Sequence, residues 1–317
     1  MDPQKIIDEF ITVHKDNESR EKYRYLEICP TLSSPYLQAG INDVTYQTGV
    51  YILLAKILGL TLILPLAKLE KIHNNDRYVD LIWSDYYDLN NITVDSERVT
   101  VVENAYQNFQ GQTKCKKRFS LRSVKSKILY EYCKSKGVLK IEPLRRPKDS
   151  NDGKHFDPFA EISRLVGTKF SFPACKNDVK LAKKLMNRYS FEGCVHIRRT
   201  DRCIAGSGAH GVSGQEWDEG TQAKNILAFL NKTSAPRNLY IMTDMNSDDE
   251  NIQKLKNDKN YNMTFMHDVP ELIPIKIENN YKVFNIEKCI FNLTKYHRSS
   301  LRMVEFSKGE IPWLTKK

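Results

Sequence analysis

With 317 residues, the chain exceeds one small domain and fits two α/β lobes, each able to bury its own core. Hydrophobic content of 40% beside 28% charged residues excludes disorder as a description of the whole. The 49 Lys and Arg against 39 Asp and Glu leave a net charge of +10. That balance favours an anionic partner (nucleic acid, a membrane surface or a phosphorylated small molecule), or reflects only a Lys- and Asn-rich composition.

In chain order, "MDPQKIIDEF" carries acids where a signal peptide needs a basic flank and an apolar core, so the chain as written reads as cytoplasmic. Five Asn-x-Ser/Thr sequons, at Asn17, Asn91, Asn231, Asn262 and Asn292, would place it in the secretory lumen if a leader precedes this sequence. "YRYLEICP" predicts a strand, and "LSSPYLQAGIND" a glycine-bearing loop leading to a helix N-terminus, a possible anion site. Residues 45–58 predict a helix with Val50, Leu53, Leu54, Ile57 and Leu58 on one stripe, and "LTLILP" a buried strand. The apolar stretch 49–66 is broken by Lys56, Gly59 and Pro65, so no integral membrane segment is expected.

"RVTVVE" predicts a further strand, and the basic segment 114–137 a mostly helical, solvated stretch. "PLRRPKDSNDGKHFDP" is loop-like, so the lobe boundary is expected shortly after it, with lobes of 1–170 and 171–317. In the second lobe, 178–190 predicts a helix, "CVHIR" a strand, "CIAGSGAHGVSG" a long loop, "TQAKNILAFLNKT" a helix and "RNLYIMTD" a strand ending on a carboxylate. A polar helix, the strand "MTFMHD" and the helix "NYKVFNIEKCIFNLTKYH" follow. This alternation predicts an α/β fold of two Rossmann-like lobes facing a cleft. Seven scattered cysteines without a CxxC pair indicate neither a zinc site nor a disulfide framework.

The chemistry gathers in "GCVHIRRTDRC". Strand alternation puts Val195 and Ile197 on one face and His196 and Arg198 on the other, with Arg199 entering the loop. Strand carboxyl ends open into the ligand crevice of a parallel sheet, and burying two arginines there without an anion would cost several kcal/mol by order of magnitude. A diphosphate suits them, since guanidinium groups bind phosphate oxygens in a forked geometry. Asp201 stands where it can hold one guanidinium, and an Arg-Asp pair clamping the loop is the structural alternative. Asp244 ends the next strand and either accepts from the paired N–H donors of a guanine edge or caps the helix that follows. No RNP-like, zinc-finger or helix-turn-helix pattern interleaves aromatic with basic residues, so nucleic acid is not the expected partner.

The segments "AGINDVTYQTGVYILLAKILGLTLILP", "WSDYYDL", "FSFP", "VHIRRTD", "LYIMTD" and "NNYKVFNIEKCI", in this order and spacing, resemble the GDP-fucose-dependent fucosyltransferase superfamily that includes the protein O-fucosyltransferases and the α-1,2 and α-1,6 enzymes. The resemblance implies a GT-B glycosyltransferase, with an acceptor-side first lobe and a donor-side second lobe. It implies inverting transfer of fucose from the co-substrate GDP-fucose to a glycan or protein hydroxyl, with no metal and no other cofactor. Carried over by motif, Arg198 meets the diphosphate with Arg199 in support, His196 and Asp201 shape the loop, and Asp244 faces guanine. Gly40 and Asn42 approach the sugar-phosphate, and Ser299 and Ser300 stand for the phosphate-binding hydroxyls. "GIND" departs from the Gly-x-x-Asn-Gln pattern of relatives, and Ala39 occupies the place where some relatives carry a glutamate base; Asp43 either accepts the acceptor's proton or caps its helix. Transfer of another sugar, or an inactive relic of the fold, stay open.

Overall fold

The computed structural model describes residues 25–28, 38–41, 44–45, 48–49, 52, 55–56, 61–64, 68–69, 74, 77–94, 96–103, 117–121, 126–133, 138–141, 170–199, 203 and 213–300. The chain divides into two compact units, Met1–Cys175 and Lys176–Lys317.

In the first unit, β1 (Tyr25–Ile28), β2 (Thr61–Ile63), β3 (Val101–Val102), β4 (Lys117–Leu121), β5 (Ser126–Cys133) and β6 (Val138–Ile141) form a sheet in the order β3-β2-β1-β6-β5-β4. The first four in that order run parallel, whereas β5 lies antiparallel to both β6 and β4. Short apolar runs such as "TLI" suit this setting, because a parallel strand is covered on both faces. The described residues of the helix between β1 and β2 bury Ile41, Val44, Thr48, Ile52 and Ala55, spaced three and four apart. The stripe expected at 50, 53, 54, 57 and 58 lies outside the described side chains.

The basic segment expected to be helical is a correction: its described residues are the antiparallel pair β4 and β5, with Tyr130 opposite Lys117 and Ser126 opposite Leu121. Ile128, Tyr130 and Tyr132 recur at every second position and are β-formers, a period that the interspersed lysines obscure.

The second unit is a four-stranded, wholly parallel sheet, ordered β9-β8-β7-β10, of β7 (Gly193–Ile197), β8 (Asn238–Thr243), β9 (Asn262–Phe265) and β10 (Tyr296–Ser299). Its helices are α1 (Lys176–Tyr189), α2 (Gly214–Gly220), α3 (Ala223–Lys232), α4 (Glu250–Lys256), α5 (Leu272–Glu278) and α6 (Asn280–Leu293). Val195, Ile197, Leu239 and Ile241 pack with Ile226, Phe229 and Leu230 of α3 and Ile252 and Leu255 of α4. The alternate positions, Cys194 and Tyr240, face the other layer, where the Tyr240 hydroxyl donates to Glu287 Oε1 of α6 at 2.7 Å. Helix α6 is pinned to α1 through the buried Asp178, which accepts from Asn285 Nδ2 at 2.7 Å and pairs with Lys282 Nζ at 2.7 Å. Among the described residues, no helix is long and apolar enough to cross a membrane.

Candidate functional site

The register of the second sheet brings the motif residues to one edge. Ile197 lies opposite Thr243, and His196 lies opposite both Met242 and Ser299. The chain therefore leaves β7 as Arg198 and Arg199 beside the residue that leaves β8, Asp244, and beside Ser299 and Ser300 at the end of β10. This is the carboxyl edge of a parallel sheet, where strand directions converge on open space.

Each described motif residue is anchored. His196 Nδ1 lies 3.0 Å from Ser299 Oγ. Burial pulls the imidazole down to about 4, helped by the positive charge of Arg198 and opposed by Asp244, so His196 is neutral at neutral pH. The Arg198 N–H donates to Ser300 Oγ at 2.6 Å, and its carbonyl accepts from Trp217 Nε1 at 2.7 Å. The Arg199 N–H donates to Asp244 Oδ1 at 2.8 Å. The Arg199 guanidinium turns toward α2, donating from Nη1 to the Asp218 carbonyl at 2.8 Å and to Thr221 Oγ1 at 2.9 Å, and from Nη2 to the Asp218 carboxylate. With the Arg199 side chain only 14% exposed, this pair is held more firmly than an open surface ion pair. Both arginines are half-buried.

The structure thus brings together His196, Arg198, Arg199, Asp244, Ser299 and Ser300. Gly40 is half-buried in the first unit, where its carbonyl accepts from Val44 N at 3.1 Å. Asn42, Asp43 and Asp201 lie outside the described residues. Asp249, not Asp244, caps α4, its side chain accepting from Asn251 N at 2.8 Å. Sequence reading missed α2, and with it Trp217, Asp218 and Thr221. A usable signal was there: in Ser213-x-x-Glu216, the serine accepts from Glu216 N at 3.2 Å and Glu216 Oε2 accepts from Ser213 N at 3.0 Å, a reciprocal cap.

A cavity of about 420 Å³ is lined by Thr243, Met245, Ser247, Phe265, His267 and Lys276, and none of the residues gathered at the sheet edge lines it. That volume is within the range of small-molecule pockets. Among the described residues, no group of His, Cys, Asp and Glu is arranged to hold a metal ion.

No protein-family model matches the chain, and no curated protein sequence does. Solved structures do match. POFUT1 in its apo form superposes with a TM-score of 0.50 at 10% identity, covering 92% of this chain and 96% of that one. The fold is fucosyltransferase-like. POFUT1 in complex with GDP gives a TM-score of 0.49 at 11% identity, over 91% of this chain and 96% of that one. The fucosyltransferase NodZ from Bradyrhizobium gives 0.42 at 11% identity, over 87% of each chain. The likeness to the apo form is in keeping with the α/β fold of GT-B type that the resemblance implies.

Proposed function

We propose that the protein is a glycosyltransferase that moves fucose from GDP-fucose to a hydroxyl of a glycan or protein acceptor, with inversion and without a metal. The observation that carries this reading is the placement of Arg198: a half-buried arginine, anchored at both main-chain polar atoms, at the carboxyl edge of a parallel sheet beside a neutral histidine. The donor's identity follows from the HxRRxD resemblance. Breaking the sugar C1–O bond leaves negative charge on the β-phosphate while the ring becomes oxocarbenium-like, and a fixed guanidinium stabilises that state more than the ground state. His196, Arg199, Ser299 and Ser300 hold the edge in shape, and Asp244 offers an acceptor toward guanine. Gly40, Asn42 and Asp201 are donor-binding candidates by the resemblance alone. Attack by the acceptor hydroxyl on the opposite face of the ring needs a base, for which Asp43 is the candidate.

Thermal unfolding with added GDP tests the reading. At a GDP concentration of 100 times Kd the wild type should gain about 2.7 kcal/mol, and Arg198→Ala should remove that protection. The same substitution should lower turnover of GDP-fucose by roughly 10² to 10³. Equal protection by GDP, ADP and UDP would remove Asp244 as a reader of guanine, and protection unchanged by Arg198→Ala would remove the donor site.

A further inference from the structure

The adjacent arginines are held in different ways. For Arg198 it is the main chain that is gripped: its N–H donates to Ser300 Oγ at 2.6 Å, and its carbonyl accepts from Trp217 Nε1 at 2.7 Å and from Ser300 Oγ at 3.3 Å. For Arg199 it is the side chain, which reaches the Asp218 carbonyl, the Asp218 carboxylate and Thr221 Oγ1. Thr221 Oγ1, fully buried, donates in turn to the Trp217 carbonyl at 2.8 Å. The Cys203 N–H donates to the Arg199 carbonyl at 2.9 Å. Helix α2 therefore meets the end of β7 through two consecutive residues: Trp217 takes the carbonyl of one arginine, and Asp218 takes the guanidinium of the next.

We infer that Trp217 and Asp218 are positioning residues: they fix the main chain from which the Arg198 guanidinium meets the diphosphate, and Arg199 is the tie that binds α2 to that main chain. The inference rests on the donor site proposed above. Three features support it. Trp217 is 1% exposed, and its only polar side-chain atom is spent on the Arg198 carbonyl. The Arg199 guanidinium, which could have served as a second phosphate ligand, is committed to α2 with its charge neutralised by Asp218. Ser300, 0% exposed, grips the same peptide from the side of β10, so Arg198 is clamped from two separate elements. A long side chain springing from a fixed Cα has fewer orientations to lose on binding, and misplacement by about 1 Å at a reacting centre costs on the order of 10²-fold.

The test is a set of double-mutant cycles on GDP affinity, read by thermal shift and calorimetry on the full chain. Trp217→Phe keeps the ring and removes the N–H; Asp218→Asn keeps the size and removes the charge; Asp218→Glu restores the carboxylate. Each of the first two should weaken GDP about five- to tenfold, Asp218→Glu should recover part of that, and in an Arg198→Ala background neither should weaken GDP further. Weakening by either single variant at an unchanged melting temperature supports the inference even where the Arg198→Ala background binds too weakly to titrate. Losses that multiply in that background, or single variants that bind GDP as the wild type does, overturn it. Should Trp217→Phe fail to fold, Asp218→Asn decides, since the Asp218 side chain is 39% exposed and its loss leaves no hole. A wild type that binds no GDP, or binds it regardless of Arg198, overturns the donor site itself; a wild type that needs Arg198 but not Trp217 or Asp218 overturns only the positioning.

Discussion

Glu287 offers a quantitative test of how the second unit is built. Its carboxyl is 7% exposed, between α6 and the sheet, and burial pushes it from its ordinary 4.5 up to about 7 against the opposing effects of the Tyr240 hydroxyl and the charge of Lys276. In the unfolded chain it ionises near 4.5, so between 4.5 and about 7 the folded state keeps a proton that the unfolded state has released. Stability from this group is therefore fully present below pH 4.5 and is lost as pH rises through 7. At about 1.4 kcal/mol per tenfold change in protonation, the loss amounts to about 3 kcal/mol. His196 has the opposite sign. Its imidazole is pulled from 6.5 to about 4, so its contribution is lost as pH falls through that window, by about 3 kcal/mol on the same scale. The two slopes oppose each other from pH 4.5 to 6.5, and only the Glu287 loss continues above. Glu287→Gln keeps an acceptor for Tyr240 and removes the titration. Urea unfolding of both proteins from pH 4.5 to 8.5 should show the variant gaining on the wild type by up to about 3 kcal/mol, with most of the gain between pH 5 and 8. A difference that is flat in pH would refute the buried, proton-holding carboxyl.

Two further outcomes follow from the same sheet. A Cβ on Gly193 would stand 2.8 Å from Leu239 Cδ2 and 2.9 Å from the Tyr296 ring, so Gly193→Ala should lower stability by about 1 to 3 kcal/mol in urea unfolding without a change in the slope with denaturant. Because His196 is already neutral well below physiological pH, and both phosphates of a nucleoside diphosphate sugar are diesters, GDP-fucose affinity measured by calorimetry should vary less than about threefold between pH 5.5 and 8.5. A tenfold rise toward acid pH would mean that a charged imidazole takes part in binding.

What could be read from the sequence was what had a period. β7 and β8 are buried on both faces and spell it in continuous apolar runs, "GCVHI" and "NLYIMT". Alternation then correctly separated Val195 and Ile197, which pack on α3 and α4, from His196, which faces the Ser299 side. Period two was missed in β5 because lysines surround it. Helix α2 was missed for a different reason: seven residues with two glycines have almost no intrinsic helix signal, and its stability comes from the reciprocal Ser213 and Glu216 cap and from burying Trp217. Tertiary partners carry no period at all. Nothing in "HIRRTD" distinguishes the arginine that is held by its main chain from the one that is held by its side chain.

That distinction bears on how a pair of like charges can sit together at a sheet edge. Two adjacent guanidinium groups facing one small volume would repel and pay twice for desolvation. Here the second is turned away and neutralised by Asp218, while the first Asp244 oxygen is engaged by a main-chain N–H. His196 adds no positive charge, since burial keeps it neutral. The edge therefore gathers the main chain of Arg198 and the Asp244 carboxylate, which accepts from the Arg199 N–H, around a neutral imidazole. A second arginine facing the same volume would strengthen attraction for any polyanion; on the donor site proposed above, committing it to α2 exchanges that non-selective attraction for a fixed geometry.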